Sequence, residues 1–253
     1  VPKPRRQDLS RMNRIPTERY TWHTRVPFRV SAMVLTGAPA QRLFVAGVPD
    51  KVAEDDPLAR RLAGATRHLV VAVDYRLAPE HPYPAGVDDV VSAFKGLASL
   101  LRASGARHIP RFSLVGDSAG GALCATVAHR LQFDPEALID SQVLIYPSLD
   151  YTLTMPSVDR LGTGFLLERE RIGWYFDRYF QANEDRQAVS PLFMTRTTRL
   201  PRTLVITAEY CPLRDEGEAY AQRLRQAGVE AECRMLPGTI HACLNLEDLM
   251  PEP

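Results

Sequence analysis

The chain has 253 residues, with 31 Lys and Arg against 30 Asp and Glu and a formal net charge of +1. Its 45% hydrophobic and 24% charged residues are the balance of an ordinary soluble globular protein. This argues against a polyanion binder, and no run approaches the ~18 apolar residues of a membrane span. Residues 1–25 carry Lys3, Arg5, Arg6, Arg11, Arg14, Arg19 and Arg25 against only Asp8 and Glu18. They read as a solvated arm, with a basic surface for a partner as the alternative. The opening segment lacks the apolar core of a signal peptide, and the start at Val1 leaves a removed leader open. The cysteines, Cys124, Cys211, Cys233 and Cys243, have no C-x-x-C spacing. They read as reduced thiols of a cytoplasmic protein, and a Cys211–Cys243 disulfide is the less favoured alternative.

In chain order, "FRVSAMVL" and "RLFVAG" within 26–46 are strand-like, and "HLVVAVDY" (68–75) suits a strand buried on both faces. Helical spacing follows over 87–102, with Gly105 as a stop. "RFSLVG" (111–116) is a strand, 119–132 a helix, "SQVLIYP" (141–147) a strand, and 168–180 an amphipathic helix. "TLVITAE" (203–209), a helix over 215–228 and "EAECRML" (230–236) close the series. Alternating strands and helices predict one α/β domain over 1–253, with a mostly parallel sheet and helices on both faces. In such sheets the chemistry sits beyond the carboxyl ends of the strands. Ser118, Cys211 and His241 each fall just after a predicted strand.

Ser118 lies in "LVGDSAGG" (114–121). A bare G-x-S-x-G is a weak signal, but this one follows an apolar strand and opens an Ala-rich helix, the setting of a nucleophile elbow. Gly116, Ala119, Gly120 and Gly121 permit the close backbone approach of such a turn. The helix start aims N–H groups and its positive dipole end at Oγ.

"DYRLAPEHPYPA" (74–85), "GDSAGG" (116–121), "SPL" (190–192), "PLRDEGEAYAQRLRQAGV" (212–229) and "PGTIH" (237–241) occur in one order at compatible spacing. The chain here resembles the hormone-sensitive-lipase-like branch of the α/β-hydrolase esterases, over roughly residues 57–241. The resemblance implies a carboxylesterase of short or medium acyl esters, with a small helical cap from about 1–25 and 155–185. It implies Ser118 as nucleophile and His241 as general base, the other histidines having surface or structural roles. The family commonly follows this histidine with Gly and an aromatic residue; here Ala242 and Cys243 follow.

Two elements depart further. Where the family places an aspartate before "PLRDEG", this chain has Cys211. Three readings stay open: an inert small residue with activity weakened or lost, a partly ionised thiol supporting His241, or a substitute acid in Glu209 or Asp215. The family's H-G-G-G oxyanion run is also absent from 42–51. Ala119 N–H should supply one donor, and Gly47 suggests a second backbone approach. Tyr75 and Tyr146 are candidate hydroxyl donors with structural roles as the alternative. Asp117, Tyr146 and Trp174 are candidate substrate contacts.

The expected function is therefore a carboxylesterase-like serine hydrolase of small-molecule esters, with reduced efficiency. The rival is a repurposed or impaired scaffold that binds a small ligand or runs acid–base elimination or cyclisation. A third reading has residues 1–60 as an altered or truncated form of a normal enzyme. No metal, organic cofactor or nucleic acid is implied, and a homodimer through an edge strand is suggested by analogy.

Overall fold

The computed structural model describes residues 32–36, 57–73, 75–103 and 111–245, with backbone alone for 32–36, 57–60 and 245. The segment "RLFVAG" with Gly47 and the arm 1–25 lie outside the described residues. Strands β1 (Ala32–Thr36), β2 (Leu69–Val73), β3 (Phe112–Asp117), β4 (Ile139–Ile145), β5 (Arg202–Tyr210) and β6 (Ala231–Ile240) form one sheet. Their order is β2-β1-β3-β4-β5-β6. Strands β3 to β6 run parallel, and β1 is antiparallel to both neighbours. All carboxyl ends of β3 to β6 therefore share one edge of the sheet.

The helices are α1 (Pro57–Thr66), α2 (Ala85–Ala103), α3 (Ala119–Leu131), α4 (Pro156–Leu161), α5 (Arg169–Tyr179), α6 (Arg186–Val189) and α7 (Arg214–Gln226). Helix α2 buries Val87, Val90, Phe94, Leu97 and Leu101, a three-and-four spacing that makes one apolar stripe. Each such buried side chain contributes about 1.5–3 kcal/mol. Helix α3 is rich in small residues and buried almost throughout, so it packs directly beneath the sheet edge that carries Ser118. No helix among the described residues is long and apolar enough to cross a membrane.

Two apolar clusters result. The larger joins α2, α3 and α7 to the sheet, through Phe94, Leu101, Leu114, Val127, Leu144 and Leu224 among others. The second lies over the carboxyl edge, where Ile172, Phe176 and Phe180 meet Val115, Ile145, Ala208 and Cys211. The aromatic helix expected over 168–180 thus covers the strand ends with one face.

Strand β6 corrects the expectation that the last strand stops at residue 236. "PGT" reads as a turn, yet the chain stays extended to Ile240. As the outermost strand in the sheet order, β6 can carry a proline without breaking an inner ladder. The ladder is irregular between Ala208 and Tyr210 and resumes with Tyr210 opposite Ile240. At that irregularity Gly238 N–H donates to the Glu209 carboxylate at 2.7 Å.

Glu216, on α7, is fully buried, and burial pushes its carboxyl well above the ordinary carboxylate range. Its Oε1 accepts Leu149 N–H at 2.6 Å. The protonated acid must hold its proton above pH ~4.5, where the unfolded carboxyl releases it, so wild-type stability falls as pH rises. The isosteric Glu216→Gln variant has no such proton to keep. Its Tm relative to wild type should rise between pH 5 and pH 8, measured by thermal unfolding. A pH-independent difference would refute the buried neutral acid.

Candidate active site

Ser118, Cys211 and His241 each directly follow a strand: β3 ends at Asp117, β5 at Tyr210 and β6 at Ile240. Since these strands share a direction, the sheet brings the three residues to one edge. Ser118 holds φ 51° and ψ −119°, a sparsely populated backbone conformation. Its neighbours make that turn fit. A Cβ at Gly116 would lie 2.3 Å from the Gly120 carbonyl oxygen, and one at Gly121 would lie 2.8 Å from Pro147 Cβ. The turn is locked by Ser118 N–H donating to Ile145 O at 2.8 Å and by Ser148 N–H donating to Ser118 O at 3.2 Å.

Ser118 Oγ lies 3.0 Å from His241 Nε2. Ser118 is half-buried and Ala119 exposed, so the reactive face opens to solvent. Ala119 begins α3, and its N–H has no acceptor within the helix. His241 is buried, with Tyr146 edge-on at 4.9 Å between ring centroids. Burial pushes its pKa down to about 4, so the imidazole is neutral at pH 7. Ala242 after it has φ 63°. Glycine takes that conformation without Cβ strain, which explains physically why the family commonly has glycine there.

Nδ1 of His241 lies 3.2 Å from Cys211 Sγ, and Leu213 N–H donates to the same sulfur at 3.4 Å. Burial raises the Cys211 thiol far above its ordinary range, so the sulfur keeps its proton. Burial thus disfavours the ionised-thiol reading. The substitute carboxylates are engaged elsewhere. Asp215 pairs with Arg160 at 3.0 Å and Arg214 at 2.9 Å, and Glu209 holds Gly238 N–H. Neither bonds His241, because the sheet end and the α7 start direct both away. All four cysteines are thiols, so Cys211 and Cys243 are not joined.

The expected substrate contacts separate. Tyr146 forms a wall of the site against His241. Asp117 is buried at the end of β3, and its charge helps to raise the Tyr146 phenol, so it lies under the elbow and not on the open face. Trp174 is two residues from both Ile172 and Phe176, hence on the opposite face of α5. It is 43% exposed and lines an open surface recess with Arg178 and Gln181. Tyr75 packs against the main core with its ring over Gly86.

Sequence reading missed the supports of the loop after β4. Leu149 N–H goes to Glu216, Tyr151 N–H donates to Ser190 Oγ at 2.8 Å, and Leu192 N–H donates to Leu149 O at 3.0 Å. The "SPL" and "DEG" blocks thus clasp the segment that holds Ser118 O. Their presence in the resembling blocks was the available signal; their role needed the fold.

A model of the alpha/beta hydrolase fold matches residues 43–245. The chain belongs to the α/β-hydrolase family. Its motifs and its esterase relatives agree with the hormone-sensitive-lipase-like branch. It is 36% identical to ethyl acetate hydrolase of Pseudomonas putida over 78% of this chain and 63% of that protein. It is 37% identical to carboxylic ester hydrolase LipN of Mycobacterium tuberculosis, over 77% of this chain and 54% of that one. A solved structure, the hyperthermophilic esterase of Pyrobaculum calidifontis, is similar with TM-score 0.69 and 37% identity, over 76% of this chain and 64% of that one. The chain spans less than two thirds of the length of these relatives.

Proposed function

We propose that this α/β hydrolase is a serine carboxylesterase of short or medium acyl esters, working at reduced efficiency. The observation that carries the reading is the 3.0 Å contact between Ser118 Oγ, on its strained elbow, and His241 Nε2. Ser118 attacks the ester carbonyl, and His241 takes the hydroxyl proton and returns it to the leaving alcohol. Ala119 N–H, at the positive end of α3, stabilises the oxyanion. Water then hydrolyses the acyl-enzyme by the same steps. The named relatives, an ethyl acetate hydrolase and a carboxylic ester hydrolase, support a small-molecule ester substrate. Four thiols support a reducing, cytoplasmic compartment. Strand β6, outermost in the sheet order, is the surface for a homodimer.

The test is labelling by a fluorophosphonate together with hydrolysis of p-nitrophenyl acetate and butyrate. Wild type should label and turn over both esters, and Ser118→Ala should do neither. A wild type that does not label would overturn the esterase reading and favour the repurposed or impaired scaffold.

A further inference from the structure

We infer that Cys211 shifts His241 toward the tautomer that cannot act as a base and leaves the active tautomer as the minor form, so that this cysteine is a negative positioning residue for the reaction. The inference rests on Ser118 and His241 being the reacting pair.

The imidazole has two neutral arrangements between its neighbours. In one, Nδ1–H donates to Cys211 Sγ and the Nε2 lone pair accepts the Ser118 hydroxyl. In the other, the thiol S–H donates to Nδ1 and Nε2–H donates to Ser118 Oγ. Only the first leaves Nε2 able to take the serine proton. An aspartate in place of Cys211 would enforce it, because a carboxylate only accepts. A thiol enforces nothing of the kind, since it both donates and accepts.

The surroundings of the sulfur favour the second arrangement. Thiol sulfur is a weak acceptor, whereas an imidazole lone pair and a hydroxyl oxygen are good ones. The first arrangement spends a strong N–H donor on the weak acceptor. It also brings two donors onto one sulfur, because Leu213 N–H already points there at 3.4 Å. The sulfur's own hydrogen would then turn into the apolar cluster of Leu213, Cys243 and Ala208 around it. The second arrangement gives the sulfur and ring hydrogens good acceptors, S–H reaching Nδ1 across 3.2 Å and Nε2–H reaching Oγ across 3.0 Å, and turns the Ser118 hydroxyl hydrogen to the solvent side of the half-buried serine. Cys211 is 1% exposed, so water cannot take over the contact at Nδ1. Burial keeps the thiol protonated, which maintains the donor.

The molecule contains its own reference. His129 Nδ1 lies 2.9 Å from Thr195 O, which can only accept, and its Nε2 lies 3.1 Å from the Tyr220 hydroxyl. Burial pushes the His129 pKa down to about 4. It is therefore a neutral histidine with the proton on Nδ1, opposite to the tautomer inferred for His241.

The experiment is 15N NMR of histidine-labelled wild-type protein at neutral pH, with His241→Gln and His129→Gln used to assign the signals. His241 should show Nδ1 at the far-downfield position of an unprotonated ring nitrogen and Nε2 as the protonated one, with His129 reversed. A protonated Nδ1 on His241 would overturn the inference. Kinetics provide the second readout. Cys211→Asp should move the His241 proton to Nδ1 and raise kcat by about 10²–10⁴-fold with KM nearly unchanged. Cys211→Ala, which removes the donor, should keep or exceed wild-type kcat. A fall of about tenfold or more in the alanine variant would show that the thiol aids catalysis, and would also overturn the inference. Absence of Ser118 labelling would defeat the esterase reading alone, because the NMR signals report the tautomer without turnover.

Discussion

His241→Ala should lower kcat/KM for p-nitrophenyl butyrate by about 10³-fold or more, with fluorophosphonate labelling slowed in parallel. Removing the histidine of a serine triad costs about 10⁶ in kcat where the triad is complete. Here the wild type starts lower, since the acid position holds a neutral thiol, so less remains to lose. Neither Glu209 nor Asp215, the substitute acids, is free to take over as base, since Gly238 N–H and arginines hold them. A variant that kept more than about a tenth of wild-type kcat/KM would remove histidine from the mechanism.

The same side chain sets a pH signature. The base works as neutral imidazole, and protonation abolishes it. Burial holds His241 near pKa 4, below the ordinary value of about 6.5. The acid limb of kcat/KM should therefore lie near pH 4, with activity persisting below pH 6. A carboxylate beside Nδ1 would stabilise the imidazolium, so Cys211→Asp should move the limb to higher pH. A wild-type limb at or above pH 6.5 would contradict the buried, carboxylate-free histidine.

The helix–strand alternation and the position of Ser118 were readable because both are local: an apolar run, a glycine pair and an Ala-rich helix in succession. His241 was readable from chain order, although its strand was ended early. Pro237 and Gly238 mark a turn in most contexts, and only their place on an outer strand beside Glu209 lets the chain stay extended. The role of Cys211 was not readable. Its protonation depends on burial by residues distant in sequence, and its partner on how β5 and β6 align. The place of Trp174 was unreadable for the same reason, since one residue's face on α5 depends on which side the sheet covers. Ser190 and Glu216 act on a loop remote in sequence from both, which no local pattern encodes.

Gly116→Ala should be among the most damaging changes outside the reacting residues. Its Cβ would stand 2.3 Å from Gly120 O, 2.4 Å from Gly120 C and 2.7 Å from Gly121 N. All three are backbone atoms, so no rotamer change relieves the clash. The start of α3 must move, taking Ser118 and the Ala119 N–H with it. The expected cost is about 3 kcal/mol or more, a fall of about 6–12 °C in Tm for a domain of this size. A displacement of about 1 Å at the nucleophile costs around 10²-fold in rate. The control is Gly96→Ala on the exposed side of α2, where a Cβ meets nothing within 4 Å. That exchange should stabilise by about 0.5–1 kcal/mol, through helix propensity, with activity unchanged. Equal Tm shifts for the two variants would show that the elbow is not held by close backbone packing.

Each reacting side chain stands one residue beyond a parallel strand, so the sheet sets their separation and the chemistry is left to single side chains. In a lineage built this way, turnover and foldability are inherited as separate traits. One residue at the end of β5 can dim the catalyst while the core beneath it stays under its own selection, and a later exchange at the same position can restore it.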